Sequence, residues 1–118
     1  MANLTINPTV FERIIDNEIP AERVYEDGEM LAIKDINPIA PLHIIIFPKR
    51  HCKGLDEAQT SHAGTIGRMV LLAARLAEDA GLASGGYRVV FNTNAGGGQT
   101  VYHLHLHLIA GRQMGPMG

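Results

Sequence analysis

The sequence predicts an α+β domain built on a mainly antiparallel five-stranded sheet, with one long helix and one short N-terminal helix. Three observations carry that reading. Short β-branched and apolar runs recur between turn signals over residues 22–47 and again after residue 86. A single stretch, 61–80, has sustained helical spacing. Strands gathered around one long helix favour segregated layers over alternating βαβ units. The whole chain, 1–118, reads as one domain with a short tail at 111–118.

The elements follow in order. Residues 7–17 predict a short helix, with Asn7 as its cap and Pro8 at the first helical position. Val10, Phe11, Ile14 and Ile15 form its apolar face, and Pro20 ends it. Arg23 to Glu26 is a short strand, Asp27-Gly28 a tight turn, and Met30 to Asp35 the returning strand. Asn37-Pro38 and Pro41 form a rigid connection. His43 to Phe47 is nearly all apolar, which predicts a strand covered on both faces.

Thr60 or Ser61 is positioned to cap the long helix, and Gly81 to stop it. Ile66, Met69, Val70, Ala73, Leu76, Ala77 and Ala80 follow its apolar spacing. Gly64 and Gly67 each cost about 1 kcal/mol against alanine inside a helix. Their presence implies either close packing at the helix start or a helix that begins later. Tyr87 to Asn92 is a further strand, Asn94 to Gln99 a glycine-rich loop, and Val101 to Ile109 the last strand.

Composition excludes several classes. A formal net charge of −2 argues against a general nucleic-acid binder, which needs a basic surface. The apolar runs are far shorter than the ~18 residues a membrane span requires. The first ten residues lack the pattern of a signal peptide, and the single cysteine, Cys52, forbids an internal disulfide. A cytoplasmic location is the expectation.

The chemistry concentrates in His103-Leu104-His105-Leu106-His107-Leu108-Ile109. Its period of two predicts a strand with three imidazoles on one face and leucines on the other. Histidine is the side chain poised for acid–base work near neutral pH, and a neutral imidazole is a competent nucleophile. A solvent-facing edge strand is the plain alternative. A metal site is another, although no cysteine and no local carboxylate completes a ligand set. Gly96, Gly97 and Gly98 let backbone N–H groups approach an anion, and Thr100 adds a hydroxyl. The Gly-Lys-Ser/Thr ending of a P-loop is absent.

The segment resembles the histidine triad motif, His-φ-His-φ-His-φ-φ with φ apolar. Gly97 to Leu108, followed by Gly111-Arg112-Gln113-Met114, is similar to the nucleotide-binding (Hint) branch of the histidine triad, or HIT, family. Phe11 to Ile15 with Glu18 to Ala21, Asp35 to Pro38, Ala40 to His43 and Pro48 to His51 extend the resemblance across nearly the whole chain. It implies a HIT-like fold, a homodimer whose sheets join, and hydrolysis of purine nucleoside phosphoramidates and aminoacyl-adenylates through a covalent nucleotidyl-histidine. No cofactor is implied. By motif position, His105 resembles the nucleophile and His107 the phosphate contact and proton donor. His103 and His43 resemble supporting histidines. Asn92, Gly98, Thr100 and the Val101 backbone resemble phosphate contacts, and Asp35 the ribose acceptor. Ile36, Phe11, Ile14 and Ile19 resemble the base pocket.

Two departures bear on specificity. Thr100 stands where animal members usually carry serine, and the tail Met114 to Gly118 lacks their tryptophan. Competing readings are a diadenosine polyphosphate hydrolase of the neighbouring Fhit branch, a nucleotide-binding interaction module with incidental hydrolysis, and a metal carrier using the same histidines.

Overall fold

A computed structural model describes residues 8–118. Helix α1 (Val10–Ile15) is capped by Thr9, whose hydroxyl accepts the Glu12 N–H at 3.3 Å. The Glu12 carboxylate in turn accepts the Thr9 N–H at 2.8 Å. This reciprocal capping box satisfies two otherwise orphaned amides, and it starts the helix later than expected. Pro8 therefore stays outside the helix, and Asn7 lies outside the described residues.

The strands are β1 (Arg23–Glu26), β2 (Met30–Lys34), β3 (Leu42–Pro48), β4 (Tyr87–Phe91) and β5 (Leu106–Ala110). They form one sheet in the order β1-β2-β3-β5-β4, every pairing antiparallel. At the first hairpin, Asp27 Oδ1 accepts the N–H groups of Glu29 and Met30, so the side chain itself shapes the turn.

Strand alternation divides the core into two layers. Met30, Ala32, Ile44, Ile46, Leu106 and Leu108 face the long helix α2 (Ala63–Asp79) and pack on Met69, Leu72, Ala73 and Ala77. Leu31, Ile33, Ile45 and Phe47 face the other way, onto Phe11 and Ile14 of α1. The Phe11 and Phe47 rings stack at 4.6 Å. Central β3 is thus covered on both faces, as its continuous apolar run implies. No described helix is long and apolar enough to cross a membrane.

Three local expectations are corrected. A 3₁₀ turn (Thr60–His62) precedes α2, and neither Thr60 nor Ser61 caps the long helix; His62 Nδ1 accepts the Gln59 N–H instead. Val70, expected inside, is exposed, while Leu72 takes a core place. The last strand begins only at Leu106, because Leu104 N–H turns aside to Cys52 O and so leaves the ladder. The α2 glycines lie within the helix, and Gly67 faces open space in this chain.

Candidate active site

The histidine segment keeps its sidedness although half of it is not regular strand. Leu104, Leu106 and Leu108 are buried. The three imidazoles lie on the α1 side, His105 with its ring centroid 4.9 Å from that of Phe11 and 5.1 Å from that of His107. His105 and His107 form part of the wall of a cleft of about 400 Å³.

Its apolar lining is Val10, Phe11, Ile14, Ile19, Ile33 and Ile45. Asp35, Ile36, Thr100 and Val101 line it as well. Nine of the residues singled out in the sequence therefore meet at one cavity: His105, His107, Asp35, Ile36, Thr100, Val101, Phe11, Ile14 and Ile19. Such a shape suits a ligand with a flat apolar part, polar hydroxyls and an anionic group.

Hydrogen bonds assign the ring protons. His105 Nδ1 lies 2.7 Å from His103 O, an acceptor only, so Nδ1 carries the proton and Nε2 presents a lone pair. His43 Nδ1 accepts the Ile39 N–H at 3.2 Å, which puts the His43 proton on Nε2. That Nε2–H donates to His107 Nδ1 at 2.9 Å, with Asp35 Oδ2 also 3.3 Å from it. His107 consequently holds its proton on Nε2, its remaining ring nitrogen. His43 is thus brought to the site behind His107.

His103 goes elsewhere. It is fully buried behind the cleft, against Phe11, Phe47 and His51, and its Nε2 donates to Pro48 O at 2.7 Å. Its Nδ1 has no partner among the described residues. Burial pushes His103 down to about 4. Burial, then the neighbouring His105 and His43, push His107 down to about 4 as well. His105 is lowered by burial, in part offset by its bond to His103 O. All three rings are therefore held on the neutral side at pH 7.

The glycine loop differs from an open cradle. Ala95–Gly97 forms a 3₁₀ turn in which the Gly97 and Gln99 amides donate to Asn94 O and the Gly98 amide to Ala95 O. Gly98 adopts φ +87°, a left-handed backbone that favours glycine. Neither Gly98 nor Asn92 is among the residues lining the cleft, although Thr100 and Val101 are.

The sequence assigns Gln99 a place in the motif but no site role. It is buried, and its Oε1 accepts the Asn94 N–H at 2.7 Å. Its Nε2 donates to Lys53 O at 2.8 Å and Val101 O at 3.0 Å. The one available signal was a polar residue wedged between a glycine run and the apolar-patterned segment.

Two groups among the described residues have ligand atoms close enough to share a metal ion: Asp35 with His43 and His107, and Glu12 with His51 and His103. In the first, His43 Nε2 and His107 Nδ1 already bond to each other.

Comparison with known proteins agrees with this geometry. The chain is 46% identical over 109 residues to the purine nucleoside phosphoramidase of Escherichia coli (strain K12), covering 92% of both chains. It is 44% identical over 110 residues to the adenylylsulfatase HINT1 of Arabidopsis thaliana, covering 92% of this chain and 74% of that one. A HIT family hydrolase from Legionella pneumophila Philadelphia 1 superposes with a TM-score of 0.87 at 45% identity, over 90% of this chain and 95% of that one. The HIT domain model matches residues 16–114, and the chain belongs to the HIT domain family.

Proposed function

We propose that this protein is a nucleotide hydrolase that cleaves purine nucleoside phosphoramidates and aminoacyl-adenylates at the α-phosphate through a nucleotidyl intermediate on His105. The observation that carries it is the tautomer pair at the cleft wall: His105 with a bare Nε2 and His107 with Nε2–H. A nucleophile and a donor then stand side by side, with an apolar pocket for the base and Asp35 for the ribose. The names of the relatives, a phosphoramidase and an adenylylsulfatase, point to the same substrate class.

The chemistry follows from those atoms. The His105 Nε2 lone pair attacks phosphorus, the P–N bond breaks, and its electron pair leaves with the nitrogen. His107 passes its Nε2 proton to the nitrogen and takes one in return from solvent, so the leaving group departs as a neutral amine. The nucleotidyl-imidazolium keeps Nδ1–H on His103 O, which stabilises its positive charge. Water then attacks phosphorus, the P–Nε2 electron pair returns to His105, and one proton goes back to solvent. Thr100 and nearby backbone amides serve the developing charge on the phosphoryl oxygens.

We place the protein in the cytoplasm as a homodimer. Val70 and Leu71 leave an apolar strip exposed on α2, and β4 beside it is an edge strand of the sheet among the described residues. Turnover of adenosine phosphoramidate, an aminoacyl-adenylate analogue and diadenosine polyphosphates, ranked without added metal, tests the assignment. Preference for the first two supports it. Preference for the dinucleotides moves the protein to that hydrolase class. Tight binding without turnover makes it an interaction module.

A further inference from the structure

The chain of hydrogen bonds that sets the His107 proton does not stop at His43. His43 Nδ1 is held as an acceptor by the Ile39 N–H at 3.2 Å. The carbonyl of the same residue, Ile39 O, accepts from Arg112 Nε at 2.7 Å, while Arg112 Nη1 donates to Gln113 O at 3.0 Å. Arg112 therefore grips the residue whose amide fixes the tautomer of His43, and through it that of His107.

Register explains why Arg112 reaches this point. β3 and β5 pair antiparallel, with Leu42 opposite Ala110 as the terminal pair. The chain leaving β5 thus runs back alongside the residues that precede β3. Gly111 meets Pro41 so closely that a Cβ added there would lie 2.9 Å from Pro41 Cβ, and it adopts φ +98°. Arg112, one residue on, closes over Ile39. The loop 35–41 is clamped at Pro41 and at Ile39 by consecutive residues of one short segment. The same loop carries Asp35, whose Oδ1 accepts the Asn37 N–H at 2.7 Å.

We infer that Arg112 is a positioning residue for proton delivery: by holding the Ile39 carbonyl it restrains the backbone of that residue, whose N–H keeps the His43 proton on Nε2 and so keeps the His107 proton on Nε2, facing the departing group. This rests on the reading of His107 as the proton donor. Without the Arg112 bond Ile39 is free to turn about its φ and ψ, and its N–H can swing away from His43. His43 Nδ1 then loses its donor, and either histidine can take the opposite tautomer. His107 with its proton on Nδ1 offers a bare Nε2 to the leaving nitrogen, which needs a proton. An activated leaving group needs none, so its expulsion is indifferent to the tautomer.

The test is a leaving-group comparison on the full chain. Arg112→Met keeps an apolar stem and removes the donors at an exposed position outside both core clusters. Adenosine phosphoramidate and the p-nitrophenyl ester of AMP are the two substrates, with His107→Asn as the reference. Arg112→Met is expected to lower kcat on the phosphoramidate about tenfold, a fraction of the 10²–10⁴ a general acid contributes, with little change on the ester. KM for both should stay near the parent value. Nitrogen NMR of the imidazoles should show the Nε2–H form of His107 in the parent and a mixture in the variant. Equal loss on both substrates, or an unchanged His107 tautomer, overturns the inference. If His107→Asn itself fails to discriminate between the substrates, the donor reading falls, and the inference with it. Discrimination by His107→Asn but not by Arg112→Met sinks the inference alone.

Discussion

His105 donates its Nδ1–H to the carbonyl of His103, two residues earlier in the chain, at 2.7 Å. That short local bond needs the irregular backbone that precedes β5. In a regular strand the His103 carbonyl would point sideways into the ladder. The departure from the expected strand is thus what aims the His105 ring, the proposed nucleophile.

Replacing His105 tests that arrangement directly. His105→Gly is expected to lower turnover of adenosine phosphoramidate by at least about a thousandfold, as removal of a nucleophile does. Nucleotide affinity, measured by calorimetry with AMP, should be largely spared, since the apolar pocket, Asp35 and Thr100 remain. Activity above about a tenth of the parent, a difference of only ~1.4 kcal/mol, would remove His105 from the nucleophile role.

Metal removal makes a second check. An ion shared by His43 and His107 would need the lone pair on His107 Nδ1, which the His43 Nε2–H already occupies. Dialysis against a chelator should therefore leave kcat within about twofold of the untreated enzyme, because metal catalysis would cost far more when stripped. Loss on chelation, restored by Zn²⁺, would favour the metal reading.

Much of the site was legible because it depends on side-chain period. The His-Leu alternation predicted which side the imidazoles take, and the β3 run predicted burial on both faces. What was not legible depends on backbone detail. The Thr9 cap replaces the expected one because Glu12 completes a reciprocal pair with it. The Gly97, Gly98 and Gln99 amides turn inward onto the loop's own carbonyls, Asn94 O and Ala95 O, a backbone detail that residue types do not reveal. His103 carries the same motif spacing as its neighbours, yet only three-dimensional packing reveals that it lies behind the cleft.

Buried His103 gives a pH prediction. Its folded value, about 4, lies below the ordinary 6.5, so between those values the unfolded chain holds a proton that the native chain lacks. Stability should be complete above pH 6.5 and fall as the pH drops toward 4, by on the order of 3 kcal/mol from this residue. Urea midpoints measured from pH 7 to 4.5 should show a shallower slope for His103→Asn than for the parent. Identical slopes would mean the ring is not held neutral by burial. Glu29, held near 2 chiefly by its bonds to Arg68 and Thr65, acts in a separate window below pH 4.5.

Gln99 is predicted to organise the loop before the triad. Gln99→Leu is close in volume but leaves the Asn94 N–H and the carbonyls of Lys53 and Val101 without that partner. Stability should fall by about 1–3 kcal/mol, the usual cost of stranded buried polar groups. Because Val101 lines the cleft beside Thr100, KM should rise as well. Unchanged denaturation midpoints and KM would show that water replaces the amide without loss.

The exposed strip on α2 supplies the last prediction. Leu71 is 70% exposed and its neighbour Val70 39%, whereas Met69, Leu72 and Ala73 on the opposite side are buried in the core. Gly67, one turn earlier, has nothing nearby to fill the space a Cβ would take. A second copy placing its own α2 here would cover both apolar side chains and use the gap at Gly67 for close helix approach. The edge strand β4, next to this helix in space, offers its backbone groups to the matching strand of that copy. Leu71→Glu places a charge in such an interface without touching the sheet core or the cleft. Sedimentation at micromolar concentration is expected to show the parent as a dimer and the variant as a folded monomer, with circular dichroism unchanged. A monomeric parent removes the dimer. A dimeric parent that Leu71→Glu leaves intact moves the interface to another face of the molecule.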